Sequence, residues 1–235
     1  MLQSVKRIAV TSALLSMPLV TIAVEPVKHI GVYVSPYYEA APSKDARPRI
    51  AVAGKYDEQL SSNKPEDIVA VRDMIQKEPQ LITPMTLMVL AIRLYDVGLR
   101  DDSVFWFYAA KDRYTILAGV LEVRSPELSQ VEQATRDFAV LAGPIINGYA
   151  FCDVKKQREL RMKAVEWVEK NPYQAVFIPQ LPAKPGDRQR NLERALAKVR
   201  VSAKEERAYL DQAENLDKLS KARNENGAVE KYCWQ

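Results

Sequence analysis

Signals that start and stop helices punctuate the chain from about residue 62 onward. Residues that can cap a helix are followed by proline at Thr83-Pro84 and Ser125-Pro126, and Gly98 provides a stop between them. Between such signals, apolar residues recur every three or four positions rather than every second one. The pattern predicts an all-α fold of antiparallel helical hairpins, arranged either as a repeat-like array or as an orthogonal bundle.

Two segments precede the helical region. Residues 1–23 form a predicted signal peptide, and residues 24–61 an irregular N-terminal arm in which four prolines within 23 positions exclude a long helix. Residues 62–235 are predicted to form a single α-helical domain of about seven helices, one of them broken or kinked at Gly143-Pro144. The last two helices are expected near residues 188–200 and 203–222.

The N-terminus has the parts of a secretory signal peptide. Lys6 and Arg7 form a basic start, residues 8–24 are uncharged and mostly apolar, and Thr21 and Ala23 are small where a peptidase would cut, after Ala23. We therefore expect an exported, periplasmic protein. Since these 17 residues just reach the length that a membrane span needs, an inner-membrane anchor through residues 8–24 is the alternative. A buried N-terminal helix is a third interpretation.

The chain has two cysteines, Cys152 and Cys233, and export would place them in an oxidising compartment. An even number of cysteines in an oxidising compartment favours a disulfide. A loop of about 80 residues closed in this way would stabilise the fold by about 4 kcal/mol. Two unpaired buried thiols are the alternative, and no CxxC motif indicates a redox enzyme.

Composition argues against several classes of chemistry. The chain has one histidine, His29, which removes most histidine-based catalysis and most zinc sites. The net charge of +4 is too small to indicate nucleic acid, and neither GxGxxG nor GxxxxGK[ST] occurs. We predict no catalytic residue, no cofactor, no metal ion and no nucleic-acid partner, and no small-molecule ligand is indicated.

Paired carboxylates are the remaining route to catalysis. Glycosidic chemistry needs two facing carboxylates, one of them with a raised pKa. The paired acids here alternate with lysine and arginine along predicted helices and are interpreted as solvent-facing: Asp101 and Asp102, Glu166 and Glu169, Glu205 and Glu206. A hydrolase or lyase of an envelope polymer is therefore an alternative rather than the main prediction.

Two of the predicted helices carry small and large side chains at a characteristic spacing. Small residues would let an antiparallel pair approach closely, large ones would fill the space toward a next repeat, and a glycine would form the turn. The residues concerned are Leu90, Ala91, Leu94, Gly98, Ser103, Phe107 and Ala110. Over residues 83–117 this pattern resembles one helical hairpin of the tetratricopeptide and Sel1 repeat families, without a second copy at a period of 34 to 40 residues.

The resemblance implies a protein-binding scaffold in which the first helix of the hairpin lines a groove. Met88, Tyr95 and Asp96 would then be exposed in that groove. Together with the leader, this predicts an exported, non-catalytic protein-binding protein of the bacterial envelope, with another envelope or secreted protein as partner and no membrane span after cleavage. A periplasmic immunity or inhibitor protein against a toxin or cell-wall hydrolase is a narrower alternative.

Overall fold

The computed structural model describes residues 24–31, 38–39, 49–50 and 54–234, so the predicted signal peptide lies outside the described residues. Two strands of two residues each, β1 and β2, pair antiparallel with Tyr38 opposite Ile50, and nine described α-helices follow. The elements are β1 Tyr38–Glu39, β2 Arg49–Ile50, α1 Asp57–Ser61, α2 Pro65–Lys77, α3 Pro84–Asp96, α4 Arg100–Val120, α5 Ser129–Ala150, α6 Val154–Lys170, a 3-10 turn Gln174–Phe177, α7 Arg188–Leu210, α8 Ala213–Glu225 and α9 Ala228–Tyr232.

The core is built around α3 and α4. Every residue of α3 from Pro84 to Tyr95 is buried, and α4 packs against α3, α5, α6 and α7. A helix that is apolar on all sides must be enclosed by others, which explains why α3 lies at the centre. The prediction of an all-α fold is confirmed.

Capping residues determine where several helices begin and end. The hydroxyl oxygen of Thr83 accepts a 3.0 Å hydrogen bond from the amide of Thr86 at the start of α3. At the start of α6, a carboxylate oxygen of Asp153 accepts a 3.0 Å hydrogen bond from the amide of Lys156. Gly98, with φ of 87°, occupies the left-handed conformation that lets the chain turn from α3 into α4.

The sequence predicted a break or a kink at Gly143-Pro144, and the break is wrong, because α5 continues through this pair to Ala150. A proline inside a helix cannot donate a hydrogen bond to the carbonyl four residues earlier. That carbonyl belongs to Val140, and both Val140 and Pro144 have exposed side chains. Water can therefore satisfy the freed carbonyl, and the helix is not interrupted.

The predicted number of helices after residue 62 is too low, since α2 to α9 make eight. The break expected near residue 201 is absent, because no helix-breaking residue lies there and α7 runs on to Leu210. The chain turns instead at Gln212, whose backbone is extended. The short helix α1 also falls within the arm that was predicted to be irregular.

Part of the N-terminal arm packs against the helical domain. The amide of Val27 donates a 2.9 Å hydrogen bond to the carbonyl of Lys231 in α9, and its carbonyl accepts one of 2.9 Å from the hydroxyl of Tyr95. The amide of Ile30 donates to the Asp96 carboxylate at 2.7 Å. Residues 27–30 therefore lie between the end of α3 and the C-terminal helix.

Candidate functional site

A cavity of about 400 Å³ lies over α4. Its walls come from α5 and α7, which both pack on α4 but not appreciably on each other. We call it the α4 cavity. Its lining consists of Met88 of α3; Tyr108, Lys111, Asp112, Tyr114 and Thr115 of α4; Thr135, Arg136 and Ala139 of α5; Arg161 of α6; and Ser202 and Glu206 of α7.

A buried ion cluster forms one side of this cavity. Arg161 donates to both carboxylate oxygens of Asp112, with Nη1···Oδ2 of 2.6 Å and Nη2···Oδ1 of 3.0 Å. Its Nε donates to Oε2 of Glu206 at 3.3 Å. Arg161 thus holds carboxylates of two helices, α4 and α7, against α6, in the paired form that burial of charge requires.

Gln157 extends the cluster toward α5. Its Nε2 donates to Oε1 of Glu206 at 2.7 Å and to the hydroxyl of Tyr108 at 3.0 Å. The Tyr108 hydroxyl in turn donates to Oδ1 of Asn147 at 3.3 Å. Burial raises the pKa of Tyr108 to about 12, so this hydroxyl stays protonated at neutral pH.

Opposing influences act on the pKa of Asp112. Burial raises it, because the charged form loses its hydration, whereas the positive charge and hydrogen bonds of Arg161 lower it. The net result is a pKa above the usual value for an aspartate. With both oxygens bound by Arg161, the carboxylate is nevertheless not free to exchange a proton with a ligand.

Lys111 is the unpaired charge of the site. No carboxylate of the described residues lies within 4.0 Å of its ammonium group, which sits 5.5 Å from the ring centre of Phe107 and 5.9 Å from that of Tyr108. Partial desolvation by the neighbouring side chains, and then the charge of Arg161, lower the pKa of Lys111. Lys111 is exposed to solvent and also lines the cavity, so a ligand could reach it.

The paired acids singled out in the sequence have different surroundings. Asp101 accepts from Lys156 and Tyr149, and Asp102 pairs with Arg72. Glu166 and Glu169 form ion pairs with Lys170 and Arg200 on partly exposed faces. The solvent-facing interpretation needs correction for Glu206, whose side chain is 35% exposed but also lines the α4 cavity and pairs with Arg161 of α6.

The exposure predicted for the groove residues is also wrong. Met88 is fully buried and forms part of the cavity lining. Tyr95 is 1% exposed and holds Val27. The side chain of Asp96 is 5% exposed, paired with Arg93 at 2.7 Å. Tyr95 and Asp96 do bind another segment, but that segment is the chain's own N-terminal arm.

The disulfide between Cys152 and Cys233 is present, with Cα atoms 5.4 Å apart. It joins the segment between α5 and α6 to the C-terminus, and a second cavity of about 320 Å³ lies beside it. There the guanidinium carbon of Arg100 lies 3.9 Å from the Trp234 ring centre and 5.1 Å from that of Tyr149. Arg100 donates to the Trp234 carbonyl at 3.0 Å, and the buried indole N–H of Trp234 has no hydrogen-bond partner among the described residues.

Two absences hold for the described part of the chain. No group of three or more histidine, cysteine, aspartate or glutamate side chains is placed to bind a metal ion. None of the helices found there has both the length and the hydropathy to cross a bilayer. His29, the sole histidine, is exposed in the arm near Asp96.

Sequence reasoning did not identify Lys111, Gln157 or Arg161 as site residues. The one local signal was the run Lys111-Asp112-Arg113, three charges inside the otherwise apolar middle of α4. Charged residues are rarely buried unless they are paired, so such a run indicates partners on other helices. It does not say which helices supply them.

Comparison with known proteins places the chain in a family. No family model matches it, and no solved structure does. An uncharacterized protein of Haemophilus influenzae is 35% identical over 214 residues, which cover 91% of this chain and 82% of that protein. The chain belongs to the same protein family as this Haemophilus influenzae protein.

Proposed function

We propose that this protein is an exported, non-catalytic binding protein of the bacterial envelope whose partner is another envelope protein. The observation that carries the proposal is the bidentate pair between Arg161 and Asp112 in the α4 cavity. It commits the one buried acid of the cavity to holding helices together, so that the site offers shape and charge for recognition rather than a proton donor.

Export is supported from both ends of the chain. The N-terminal pattern is that of a cleaved leader ending at Ala23. The disulfide between Cys152 and Cys233 is a bond that persists in oxidising compartments and is rare in the cytosol. The periplasm satisfies both requirements.

Hydrolysis by paired carboxylates is less well supported. It would need one acid of the pair to be free and protonated, and the other to be free as a base or nucleophile. Asp112 has a raised pKa but is bound by Arg161. Glu206 is bound by Arg161 and Gln157, so neither carboxylate is positioned for that role.

A protein partner is supported by apolar side chains exposed on the helices that wall the cavity. Val140 of α5 is 69% exposed and Val201 of α7 is 51% exposed. Each is adjacent in sequence to a cavity residue, Ala139 and Ser202 respectively. The hairpin of α3 and α4, with its resemblance to a tetratricopeptide or Sel1 unit, favours the same class of partner.

Export is tested by cell fractionation followed by mass spectrometry of the intact protein. We expect the protein in the periplasmic fraction, beginning at Val24 and lacking the two hydrogens of free Cys152 and Cys233. A cytosolic protein that retains residues 1–23 and both thiols would overturn this part of the proposal.

The partner is sought by cross-linking a tagged full chain in intact cells. We expect one stoichiometric envelope protein with the wild type, and its loss with Val140→Asp and Val201→Asp. Leu81→Asp is the matched control, because Leu81 is 64% exposed and lies between α2 and α3 rather than on α5 or α7. Capture that is equal for all four proteins, or no captured partner, would contradict the proposal.

A further inference from the structure

We infer that the α4 cavity binds a small organic monocarboxylate with an apolar body. This site goes beyond the protein partner proposed above and does not depend on it. The inference rests on the cation of the cavity that has no carboxylate partner, on the protons that this cation can donate, and on the apolar surface beside it.

The first step concerns charge. Three cations line the cavity, namely Lys111, Arg136 and Arg161. Arg161 is bound to Asp112 and Glu206, and Arg136 is paired with Glu132. Among the cations of the described lining, Lys111 alone has no carboxylate within 4.0 Å, so its ammonium group is the cation that can still form an ion pair with a ligand.

The second step concerns donors. The hydroxyl of Thr115 donates to the carbonyl of Lys111 at 3.0 Å, and that of Thr135 to the carbonyl of Val131 at 2.7 Å. These hydroxyls can therefore only accept further hydrogen bonds. The ammonium group of Lys111 has three protons to donate, so the strongest available interaction is with an anionic oxygen.

The third step concerns size and polarity. A volume of about 400 Å³ lies in the range of small-molecule sites, which combine apolar walls with a few polar groups. Met88, Ala139 and the ring of Tyr114 supply apolar surface. The ammonium group of Lys111 can pair directly with one carboxylate, whereas a second negative charge would meet only the repulsion of Asp112 and Glu206. A monoanion with an apolar body satisfies all three conditions.

The probe is 3-phenylpropionate, and 3-phenylpropionamide is its uncharged control of nearly equal shape. We measure binding to the full chain by calorimetry and map it by amide chemical shifts. The acid should bind at least tenfold more tightly than the amide, and the shifts should centre on Thr115, Thr135 and Ser202. Equal binding of the acid and the amide would overturn the inference. So would chemical shift changes centred elsewhere, or no binding of the acid at millimolar concentration.

Variants test the role of Lys111 directly. Lys111→Met should weaken binding of the acid by about 10- to 100-fold, the usual loss for a hydrogen bond to a charged group, and leave the amide unaffected. Lys111→Arg should retain most of the affinity. Lys55→Met is the matched control, since Lys55 lines a different cavity and also lies over an aromatic ring. Loss of affinity in Lys55→Met, or none in Lys111→Met, would contradict the assignment.

A carboxylate could also come from a partner protein, and competition separates the two sources. We expect 3-phenylpropionate, added before the cross-linker, to leave capture of the partner unchanged. Displacement of the partner by the acid would overturn the small-molecule assignment, because the partner's own carboxylate would then be the occupant. If no partner is captured and the acid still binds, the proposed function fails while this inference holds.

Discussion

The ring of Tyr232 lies directly against Gly148, so close that a Cβ atom on the glycine would stand 2.5 Å from Cδ2 of the ring. Gly148 lies in α5 and Tyr232 ends α9. Because Gly148 has no side chain, α9 can approach α5 closely at this point. Cys233, which forms the disulfide with Cys152, directly follows Tyr232.

Gly148→Ala is expected to lower the free energy of unfolding by about 1–3 kcal/mol, the usual cost of overpacking. Gly143→Ala is the matched control in the same helix, because its Cβ would stand 3.6 Å from Phe107, an ordinary contact. Alanine favours helix over glycine by up to about 1 kcal/mol, so this control should be neutral or stabilising. Urea unfolding of the three proteins measures both effects, and equal stability of the two variants would contradict the close approach.

Arg161→Met is expected to lower the free energy of unfolding by about 3–5 kcal/mol, because it leaves Asp112 buried without a partner. Replacing both residues, with Asp112→Leu added, should restore much of the loss, since no buried charge then remains unpaired. Urea unfolding of the single and double variants gives the coupling free energy between them. Additive losses would show that the pair does not act as a unit.

Local signals predicted the elements whose cause is local. Thr83 and Asp153 cap helices because a side-chain oxygen can reach the amide three residues further on. Both residues of each contact can therefore be identified from the local sequence. The break predicted at Pro144 is wrong because its cause is not local. Whether a proline breaks a helix depends on whether the freed carbonyl meets water, which is decided by the packing of α5 on the rest of the fold.

The α4 cavity could not be predicted because consecutive residues of one helix point about 100° apart. Lys111 reaches the cavity, Asp112 reaches Arg161, and Arg113 enters the core, where it donates to the carbonyls of Pro79, Ile82 and Asn171. Arg161 lies 49 residues from Asp112. Tertiary packing decides which residue at that separation contacts Asp112, and the three charged residues from Lys111 to Arg113 do not specify it.

The expected exposure of Tyr95 failed for a related reason. The resemblance to a repeat hairpin implies that the first helix has one open side. In this chain α3 is enclosed, and its C-terminal end is covered by residues 27–30. The residues of the arm that cover it lie 66 and 68 residues earlier in the chain, beyond any local pattern.

Reducing the disulfide is expected to loosen the arm as well as the C-terminus. The amide of Val27 donates to Lys231, which the Cys152–Cys233 bond keeps in place, whereas the amide of Ile30 donates to Asp96 on α3. Hydrogen exchange at Val27 should therefore accelerate more than at Ile30. The free energy of unfolding should fall by about 4 kcal/mol.

A reduced protein in which the Val27 amide keeps its protection would disprove this coupling. Cys152→Ser with Cys233→Ser gives the same comparison without a reductant. Because both amides lie in the same short segment, a general loosening of the arm would accelerate them equally, which separates it from the effect of the C-terminal helix.

Alkaline pH is expected to destabilise the fold through its buried tyrosines. Burial raises the pKa of Tyr95, Tyr108 and Tyr173 to about 12, from the ordinary value of 10. Since the folded state favours the neutral phenol, this contribution to stability is fully present below pH 10 and is lost as the pH rises from 10 through 12. Absorbance at 295 nm should show that part of the tyrosine titration is delayed toward pH 12. Tyr173→Phe should reduce the amplitude of this late absorbance change by the contribution of one tyrosine. A single transition near pH 10 in protein that is still folded would contradict the burial of these rings.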